Sequence, residues 1–350
     1  MLIMVVYFLI LLVSSMGTFM STNWLLIWLW VELNSLCLVP ILSSDSSLRC
    51  IESTVKYYVF QALGSITFLF GVFFRYFFSE NLSILGDYNA ITCFLIVLGL
   101  CVKAGVFPLH FWFVDVISGL KFYEGSFVVV VSKIIPVYLL IILSGQSSLA
   151  IYYLIGLGSV IIGSVFGLSQ LQLRKVLSLS SISHLGWLII LFPYLVVWVS
   201  GSLFFVYVMM TLPIFWVGGF YSVEHYFKVK GLWSNFSFVF VFVISILSLA
   251  GFPPLLGFFY KWVMLYFLVI NGNYLIVVML ILLSLVSLYF YLNLVFSLVS
   301  FSWSSIKFFI SSSKGFGGLL LIPFLVYHLV IFIFVVYMGP LNVEFLLGGV

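Results

Sequence analysis

The sequence predicts an all-α membrane protein that crosses the bilayer about eleven times, and three observations support this fold class. Of its 350 residues, 65% are hydrophobic and only 6% are charged, whereas a soluble domain has roughly 25% charged residues. Apolar runs of about 20 residues, the length that a helix needs to span a membrane, follow one another along the chain. The few basic residues fall mainly between these runs. This pattern leaves no room for a soluble domain.

The apolar runs divide into eleven predicted helices that are joined by short connections. We expect the first run to be a membrane span rather than a signal peptide, because it has no basic residue near its start and no small-residue cleavage site. The longest connection, 301–319, is rich in serine and carries Lys307 and Lys314. The predicted spans are residues 1–20, 24–42, 53–75, 91–118, 125–143, 149–168, 175–192, 195–220, 235–270, 274–300 and 320–338.

Basic residues are concentrated on one predicted side of the membrane. Nine of the 13 lysines and arginines lie in connections or at span ends on the side that holds the N-terminus, whereas Arg75 alone lies on the opposite side. The remaining three are lysines inside spans. Because basic loops are retained on the inner side of a membrane, the N-terminus should face the positive-inside compartment. An odd number of spans places the C-terminus on the other side.

Two predicted spans contain helix-breaking residues. Span 91–118 should break at Pro108, and span 235–270 at Gly251 to Pro254, because proline removes a backbone donor and clashes with the preceding turn. Five spans separate the two breaks, so two five-span halves would be related by inversion, as in secondary transporters. We therefore expect one membrane domain, 1–350, with a first repeat at 1–143, a second repeat at 149–300, and a positive-side loop, final helix and C-terminal tail at 301–350.

Four charged residues lie near the middle of predicted spans or beside a break, where a charge costs roughly 2.5–3.5 kcal/mol and marks a candidate functional site. Glu32 lies near the middle of the second span, and Lys103 lies beside the first break. Lys133 is central in the fifth span, and Lys261 is central in the second half of the ninth. The structural alternatives are an ion pair for Glu32 and a lysine that caps exposed carbonyl groups for Lys103.

A buried lysine and carboxylate suit proton movement if their separation can change. A lysine has an ordinary pKa near 10.4, so proton release near neutral pH requires surroundings that disfavour its charged form. Apolar burial disfavours that form, and a nearby carboxylate favours it. We expect Glu32 and Lys103 to form such a pair, with Lys133 and Lys261 continuing the relay through water. His184, in the seventh span, would either bridge the two halves or be a hydrogen-bonded core histidine.

The sequence contains no motif for a redox group or a nucleotide. The four cysteines form no CxxC pair and are interpreted as packing residues. The four histidines are scattered singly, which argues against the paired ligands of a membrane haem, and no phosphate loop or dinucleotide fingerprint occurs. We therefore expect that this chain holds no cofactor and no metal.

Six stretches carry a resemblance to a known family. With this composition and spacing, the chain resembles the chain 2 family of NADH–ubiquinone oxidoreductase, antiporter-like subunits in the membrane arm of mitochondrial complex I. The family fold has fourteen helices, of which animal members lack the first three, so eleven predicted spans fit the shortened form. The stretches are WLLIWLWVELNSLCLVP with Glu32, YYVFQALGS from Tyr57, LGLCVKAGVFPLHFWFVDV with Lys103, SKIIP with Lys133, LRKVLSLSSISHLGW with His184, and GFPPLLGFFYKW with Lys261.

The resemblance implies a role for each charged residue. Glu32 and Lys103 would be the proton-coupling pair, Lys133 the relay lysine, and Lys261 the lysine toward the distal half-channel. The chain would translocate protons as a subunit of NADH:ubiquinone oxidoreductase, driven by electron transfer elsewhere in the complex. FMN, iron–sulfur clusters and ubiquinone would be bound by other parts of the complex and not by this chain.

The resemblance also implies a location and partners. The chain would be a multi-pass protein of the mitochondrial inner membrane, with its N-terminus on the matrix side and its C-terminus on the intermembrane-space side. Its partners would be other membrane-arm subunits, accessory subunits, lipids and protons, but no nucleic acid.

Three alternative functions remain open at this point. A free-standing cation/proton antiporter would have the same ancestry and the same lysines, but it would purify alone. A purely structural membrane subunit would lose assembly rather than turnover when Lys103 is neutralised. A quinone- or haem-binding electron carrier is disfavoured by the single histidines, and a visible absorption spectrum would identify it.

The charge distribution generates a prediction about orientation. Lys228, in a connection on the positive side, should be protected from a membrane-impermeant amine reagent added to intact mitoplasts, and it should react once the inner membrane is opened. Mass spectrometry of the labelled chain measures both results. Modification of Lys228 in intact mitoplasts would contradict the predicted topology.

Overall fold

The computed structural model describes residues 2–84, 86, 88–220, 236–253 and 255–303. Within these ranges the regular structure is helical, apart from an isolated bridge between Asn23 and Ser83, so the predicted all-α class is confirmed. The helices are α1 Leu2–Met20, α2 Trp24–Leu42, α3 Leu48–Ser79, α4 Ala90–Ala104, α5 Phe111–Gly119, α6 Phe122–Val129, α7 Val131–Ser144, α8 Leu149–Gly167, α9 Leu173–Leu191, a 3-10 turn Phe192–Tyr194, α10 Val197–Phe220, α11 Phe236–Ala250, α12 Leu256–Ile270 and α13 Tyr274–Trp303.

The helices agree with the first ten predicted spans to within a few turns. By length and composition, seven helical segments of the described chain could cross a membrane, and four shorter apolar helices accompany them. Three of the shorter helices are α4, α11 and α12, which belong to the two broken spans. The eleventh predicted span, 320–338, lies outside the described residues, so a total of eleven stays a prediction.

Two boundaries differ from the predicted ones. Helix α3 extends beyond the predicted span 53–75 at both ends, and its first turns carry the charged pair Glu52 and Lys56, whose side chains lie 2.6 Å apart. Helix α13 runs through Trp303, so the predicted start of a connection at residue 301 was wrong. No glycine or proline interrupts that stretch, and the helix therefore continues.

Both predicted breaks are present in the structure. Helix α4 ends at Gly105, whose φ of 69° lies in the left-handed region, and α11 ends at Gly251, whose φ is 83°. Glycine adopts this conformation without the steric cost of a Cβ atom, which makes it a common helix terminator. The chain then continues into α5 after the first break and into α12 after the second.

A third interruption was not predicted. The fifth predicted span, 125–143, is divided at Val130 into α6 and α7. The Lys133 amide donates to the Val130 carbonyl at 3.2 Å, and the Ser132 hydroxyl donates to the Val128 carbonyl at 2.6 Å. Pro136 has no amide hydrogen for the carbonyl four residues earlier, and such positions distort a helix.

The chain forms two compact units, Met1–Ser159 and Val160–Val350, with the division inside α8. In the first unit α3 packs against α2, α4 and α5, and α7 packs against α4 and α6. In the second unit α10, α11, α12 and α13 pack on one another, and α9 packs on α10 and α12. The division into inverted repeats at 1–143 and 149–300 stays a prediction.

The ends of α2 and α6 are joined by polar contacts outside the spans. Lys121 Nζ lies 2.8 Å from Asp45 Oδ2, and the hydrogen bond from Lys121 lowers the pKa of Asp45. Glu124 accepts hydrogen bonds from the Lys121 amide at 3.2 Å and from the Ser44 hydroxyl at 2.7 Å. These contacts cap α6 at its first turn, which fixes the start of the segment that leads to Lys133.

Helices α3 and α4 approach each other closely because small residues face the contact. A Cβ atom added at Gly99 would lie 2.7 Å from the Phe68 amide nitrogen, and one added at Gly71 would lie 2.9 Å from the Ile96 amide nitrogen. Both neighbours are backbone atoms and have no freedom to rotate away. Small residues at such contacts are typical of helix pairs in membranes.

This contact generates a prediction about stability. Gly99→Ala should destabilise the protein by about 1–3 kcal/mol, because the helices must separate to accept one methyl group. Gly201→Ala is the matched control, since a Cβ atom there meets nothing within 4 Å. Thermal unfolding of the purified protein measures both variants. Equal melting temperatures for Gly99→Ala and Gly201→Ala would contradict the close packing of α3 and α4.

Candidate functional site

Lys103 lies in the last turn of α4, directly before the first break, and its side chain is 1% exposed. The carbonyl groups of this helix end are bonded by other elements. Gln61 on α3 donates through Nε2 to the Lys103 carbonyl at 3.1 Å, and Trp112 on α5 donates through Nε1 to the Val102 carbonyl at 3.1 Å. Backbone groups at membrane depth need such partners. The end of α4 is therefore held without using the lysine ammonium as a cap.

Glu32 on α2 is the nearest opposite charge to Lys103. Its Oε2 lies 3.6 Å from Lys103 Nζ, and its side chain is 24% exposed. Within the described ranges neither of these two atoms has a hydrogen-bond partner. The two groups therefore attract each other at a distance that is too long for a hydrogen bond, and the pair predicted from the sequence is formed.

Gly64 on α3 provides the space that Lys103 occupies. A Cβ atom at Gly64 would lie 2.8 Å from Lys103 Cγ and 3.2 Å from the Gly99 carbonyl oxygen. Any larger residue at position 64 would displace the lysine stem. This glycine lies in the YYVFQALGS stretch, which links that stretch to the geometry of the charged pair.

Lys133 lies in the first turn of α7 and is fully buried. Its Nζ is 3.9 Å from the centroid of the Phe113 ring, a cation–π contact that favours the charged ammonium. The adjacent residue, Ser132, faces a small cavity that Lys103 also lines. Lys133 is therefore next in the chain to a residue of this cavity, although its own side chain does not line it.

That cavity has a volume of about 10 Å³. Polar and apolar side chains from α2, α3, α4 and α7 meet there, so it connects four helices of the first unit. Its lining residues are Val31, Asn34, Ser35, Tyr57, Gln61, Lys103, Ser132, Ile135 and Pro136.

Lys261 lies in α12, just beyond the second break, and is partly exposed. Its Nζ donates to the Ala250 carbonyl at 2.9 Å, at the end of α11. A Cβ atom at Gly251 would lie 3.1 Å from Lys261 Cδ, so the glycine also leaves room for this lysine. Lys261 therefore caps an exposed carbonyl group at the end of a helix. This is the structural role that the sequence left open for Lys103.

His184 lies in α9, whose residues are almost all buried, and is itself 2% exposed. Its ring lies 6.0 Å from the Tyr207 ring and 5.7 Å from the Tyr260 ring, and the Tyr260 hydroxyl donates to the His184 carbonyl at 3.4 Å. All three residues belong to the second unit. A bridging role for His184 between the two halves stays a prediction.

The structure thus brings three of the five predicted residues into the first unit and two into the second. Glu32, Lys103 and Lys133 belong to the first, whereas His184 and Lys261 belong to the second. Sequence reasoning missed Gln61 and Tyr57. The signal that could have found them is their position inside YYVFQALGS, one of the six stretches that carry the resemblance.

The part of the chain that the structure describes has no cluster of three or more His, Cys, Asp or Glu residues suited to a metal ion. The four cysteines, Cys37, Cys50, Cys93 and Cys101, are buried and form no disulfide. Their burial agrees with a packing role.

A helical membrane domain with two broken helices and a lysine beside each break defines an ion-translocating protein of the antiporter type. Residues 21–287 match the family described as NADH:quinone oxidoreductase/Mrp antiporter, transmembrane. The chain is 35% identical to NADH-ubiquinone oxidoreductase chain 2 of Patiria pectinifera, over 81% of this chain and 83% of that protein. It is 32% identical to chain 2 of Pisaster ochraceus, over 89% and 94%. The chain therefore belongs to the NADH:quinone oxidoreductase/Mrp antiporter family, within its NADH-ubiquinone oxidoreductase chain 2 group.

Solved structures share the fold. A chain of respiratory complex I from Thermus thermophilus, solved with bound aureothin, aligns with a TM-score of 0.76 at 24% identity, over 93% of this chain and 79% of that one. A chain of the Mrp complex from Dietzia sp. aligns with a TM-score of 0.75 at 17% identity, over 82% and 59%. At these identities the likeness concerns the fold alone.

Proposed function

We propose that this chain is a proton-translocating, antiporter-like subunit of respiratory NADH:ubiquinone oxidoreductase. The observation that carries this proposal is the Glu32–Lys103 pair, a buried lysine 3.6 Å from a carboxylate beside a broken helix. The relatives that match most of the chain are named as chain 2 of that oxidoreductase. The fold supports ion movement, and the names of the relatives support the complex.

The geometry of the pair explains how it would load and release a proton. At an effective dielectric constant of about 20, two unit charges about 4 Å apart attract by about 4 kcal/mol. A change of about 1.4 kcal/mol alters a protonation equilibrium tenfold. Moving Glu32 away from Lys103 therefore shifts the balance toward neutral lysine by up to about a thousandfold, and its return restores the charge.

The other two lysines have contacts that tolerate a change of charge. Lys133 lies against the Phe113 ring, and Lys261 bonds to the Ala250 carbonyl. The carbonyl that accepts from Lys261 is uncharged, so proton loss from Lys261 leaves no unpaired anion at that contact. Lys133 would pass protons onward from Lys103, and Lys261 would serve the second half of the path.

The proposal places electron transfer outside this chain. FMN, iron–sulfur clusters and ubiquinone would be bound elsewhere in the complex, and this subunit would hold no redox group. Its partners would be the other membrane-arm and accessory subunits, with lipids around the exposed apolar helix faces. The protein would span the mitochondrial inner membrane with its N-terminus in the matrix and its C-terminus in the intermembrane space.

A free-standing cation/proton antiporter is the second candidate, because the matched family includes Mrp antiporters as well as NADH:quinone oxidoreductase subunits. A blue-native gel of solubilised membranes, followed by mass spectrometry of the band that contains this chain, separates the two. The proposal expects a large multi-subunit band with the other oxidoreductase subunits. A band of this chain alone would favour the antiporter.

The pair generates a prediction that separates a proton carrier from a scaffold. Lys103→Arg should lower proton-coupled NADH:quinone turnover strongly, because guanidinium does not release its proton in the working range. Glu32→Gln should also lower pumping, since the attraction that holds the Lys103 charge is lost, whereas Glu32→Asp should keep much of the function. Turnover and proton uptake of the assembled complex in vesicles measure all three. Wild-type coupled turnover in Lys103→Arg would leave only the structural role.

The relay generates a second prediction. Lys133→Met and Lys261→Met should each lower coupled turnover by roughly 10²-fold, a typical contribution of a proton-transferring group, while the complex still assembles. Lys56→Met is the control, because Lys56 is an exposed lysine paired with Glu52 on the same helix, and such pairs contribute little. Activity is normalised to assembled complex on native gels. Normal activity in Lys133→Met or in Lys261→Met would remove that lysine from the path.

A further inference from the structure

Tyr57 is a buried polar residue beside Lys103 to which the proposed mechanism has given no task. It lies on α3, is fully buried, and its ring lies 6.0 Å from the Trp112 ring. Trp112 in turn bonds to the carbonyl of Val102, next to Lys103. The ring of Tyr57 is thus next to one of the two side chains that hold the end of α4.

The Tyr57 hydroxyl oxygen is buried and has no hydrogen-bond partner within the described ranges, and the same holds for Lys103 Nζ. Both residues line the cavity of about 10 Å³. A buried polar group without a partner costs about 1–3 kcal/mol. Two such groups at one cavity need a common partner.

The cavity has the size and chemistry to bind a single water molecule. A space of about 10–15 Å³ holds one water, which usually makes about three hydrogen bonds. The other polar side chains there already donate elsewhere. Gln61 donates to the Lys103 carbonyl, Ser35 to the Glu32 carbonyl, Ser132 to the Val128 carbonyl and Asn34 to the Ser14 hydroxyl. Their oxygen lone pairs remain as acceptors that face a water.

We propose that this cavity binds one water molecule between the Lys103 amine and the Tyr57 hydroxyl, and that Tyr57 is thereby a positioning residue for Lys103. This inference rests on the proposed function, because it gives Tyr57 a part in the charge change of Lys103. Its ligand is water, and its site is built from α3, α4 and their neighbours α2 and α7.

A tyrosine hydroxyl suits this position because it can both donate and accept. When Lys103 is charged, the ammonium donates to the water and the water donates to the Tyr57 oxygen. When Lys103 is neutral, the amine nitrogen accepts from the water and the water accepts from the Tyr57 hydroxyl. The three groups therefore stay bonded in both charge states, which keeps Lys103 within reach of Glu32.

The test uses Tyr57→Phe in the intact complex, with Tyr58→Phe as the matched control. The control removes the same hydroxyl one residue away, from a side chain that is 47% exposed. Tyr57→Phe should lower coupled turnover per assembled complex about fivefold, the factor expected for one lost hydrogen bond. The KM values for NADH and quinone should not change. Tyr58→Phe should match the wild type.

A high-resolution map of the wild-type complex gives an independent measurement. It should show one water within hydrogen-bond distance of both Lys103 Nζ and the Tyr57 hydroxyl, and the map of Tyr57→Phe should lack it. No water there in the wild type, or equal turnover of the Tyr57→Phe and Tyr58→Phe complexes, overturns this inference.

If Lys103→Arg loses turnover while Tyr57→Phe keeps it, only the role of Tyr57 fails. If Lys103→Arg keeps wild-type coupled turnover, the proposed function itself fails.

Discussion

The free-energy cost of a charge among apolar helices is the constraint on which this structure depends. Lys103 and Lys133 are almost completely removed from solvent, and each such charge costs several kcal/mol unless the surroundings compensate. Lys103 is compensated by Glu32 at 3.6 Å, and Lys133 by the face of the Phe113 ring. The contact between Glu32 and Lys103 is too long for a hydrogen bond. Lys103 is therefore held in place without being locked in one charge state.

The same constraint applies to the backbone where the helices break. Each break leaves carbonyl groups without their helical partners, and no water-rich solvent is available at membrane depth to bond them. At the first break Gln61 and Trp112 bond to these groups, and at the second Lys261 does so. The two breaks are alike in sequence but are completed differently. At the first break other side chains bond to the carbonyl groups, whereas at the second break the Lys261 ammonium donates to one of them.

Helix packing decides whether these groups can meet at all. Gly64 and Gly99 let α3 and α4 approach so closely that Gln61 reaches a backbone oxygen of α4. Tyr57 reaches the cavity beside Lys103 for the same reason. Small residues in a membrane helix pair therefore have a direct effect on the site, because they set the distance across which its polar side chains must reach.

The sequence alone determined the class of protein, the approximate location of the first ten spans and the position of both breaks. These features depend on local properties, namely the length of an apolar run relative to the bilayer and the backbone behaviour of glycine and proline. It also identified the charged residues, since a charge in an apolar run is conspicuous wherever it lies. The resemblance of six stretches, from Glu32 to Lys261, then predicted the family to which the chain belongs.

Only the tertiary structure decided how those residues are used. The contacts from Glu32 and Gln61 to Lys103 join helices that are distant in the chain, and no local pattern encodes their distances. The interruption at Val130 escaped prediction because it depends on side-chain and proline effects within an otherwise continuous apolar run. The Ala250 partner of Lys261 and the buried hydroxyl of Tyr57 also appear only after packing. Hydropathy reports which residues enter the membrane, whereas the partners they find there depend on how closely the helices pack.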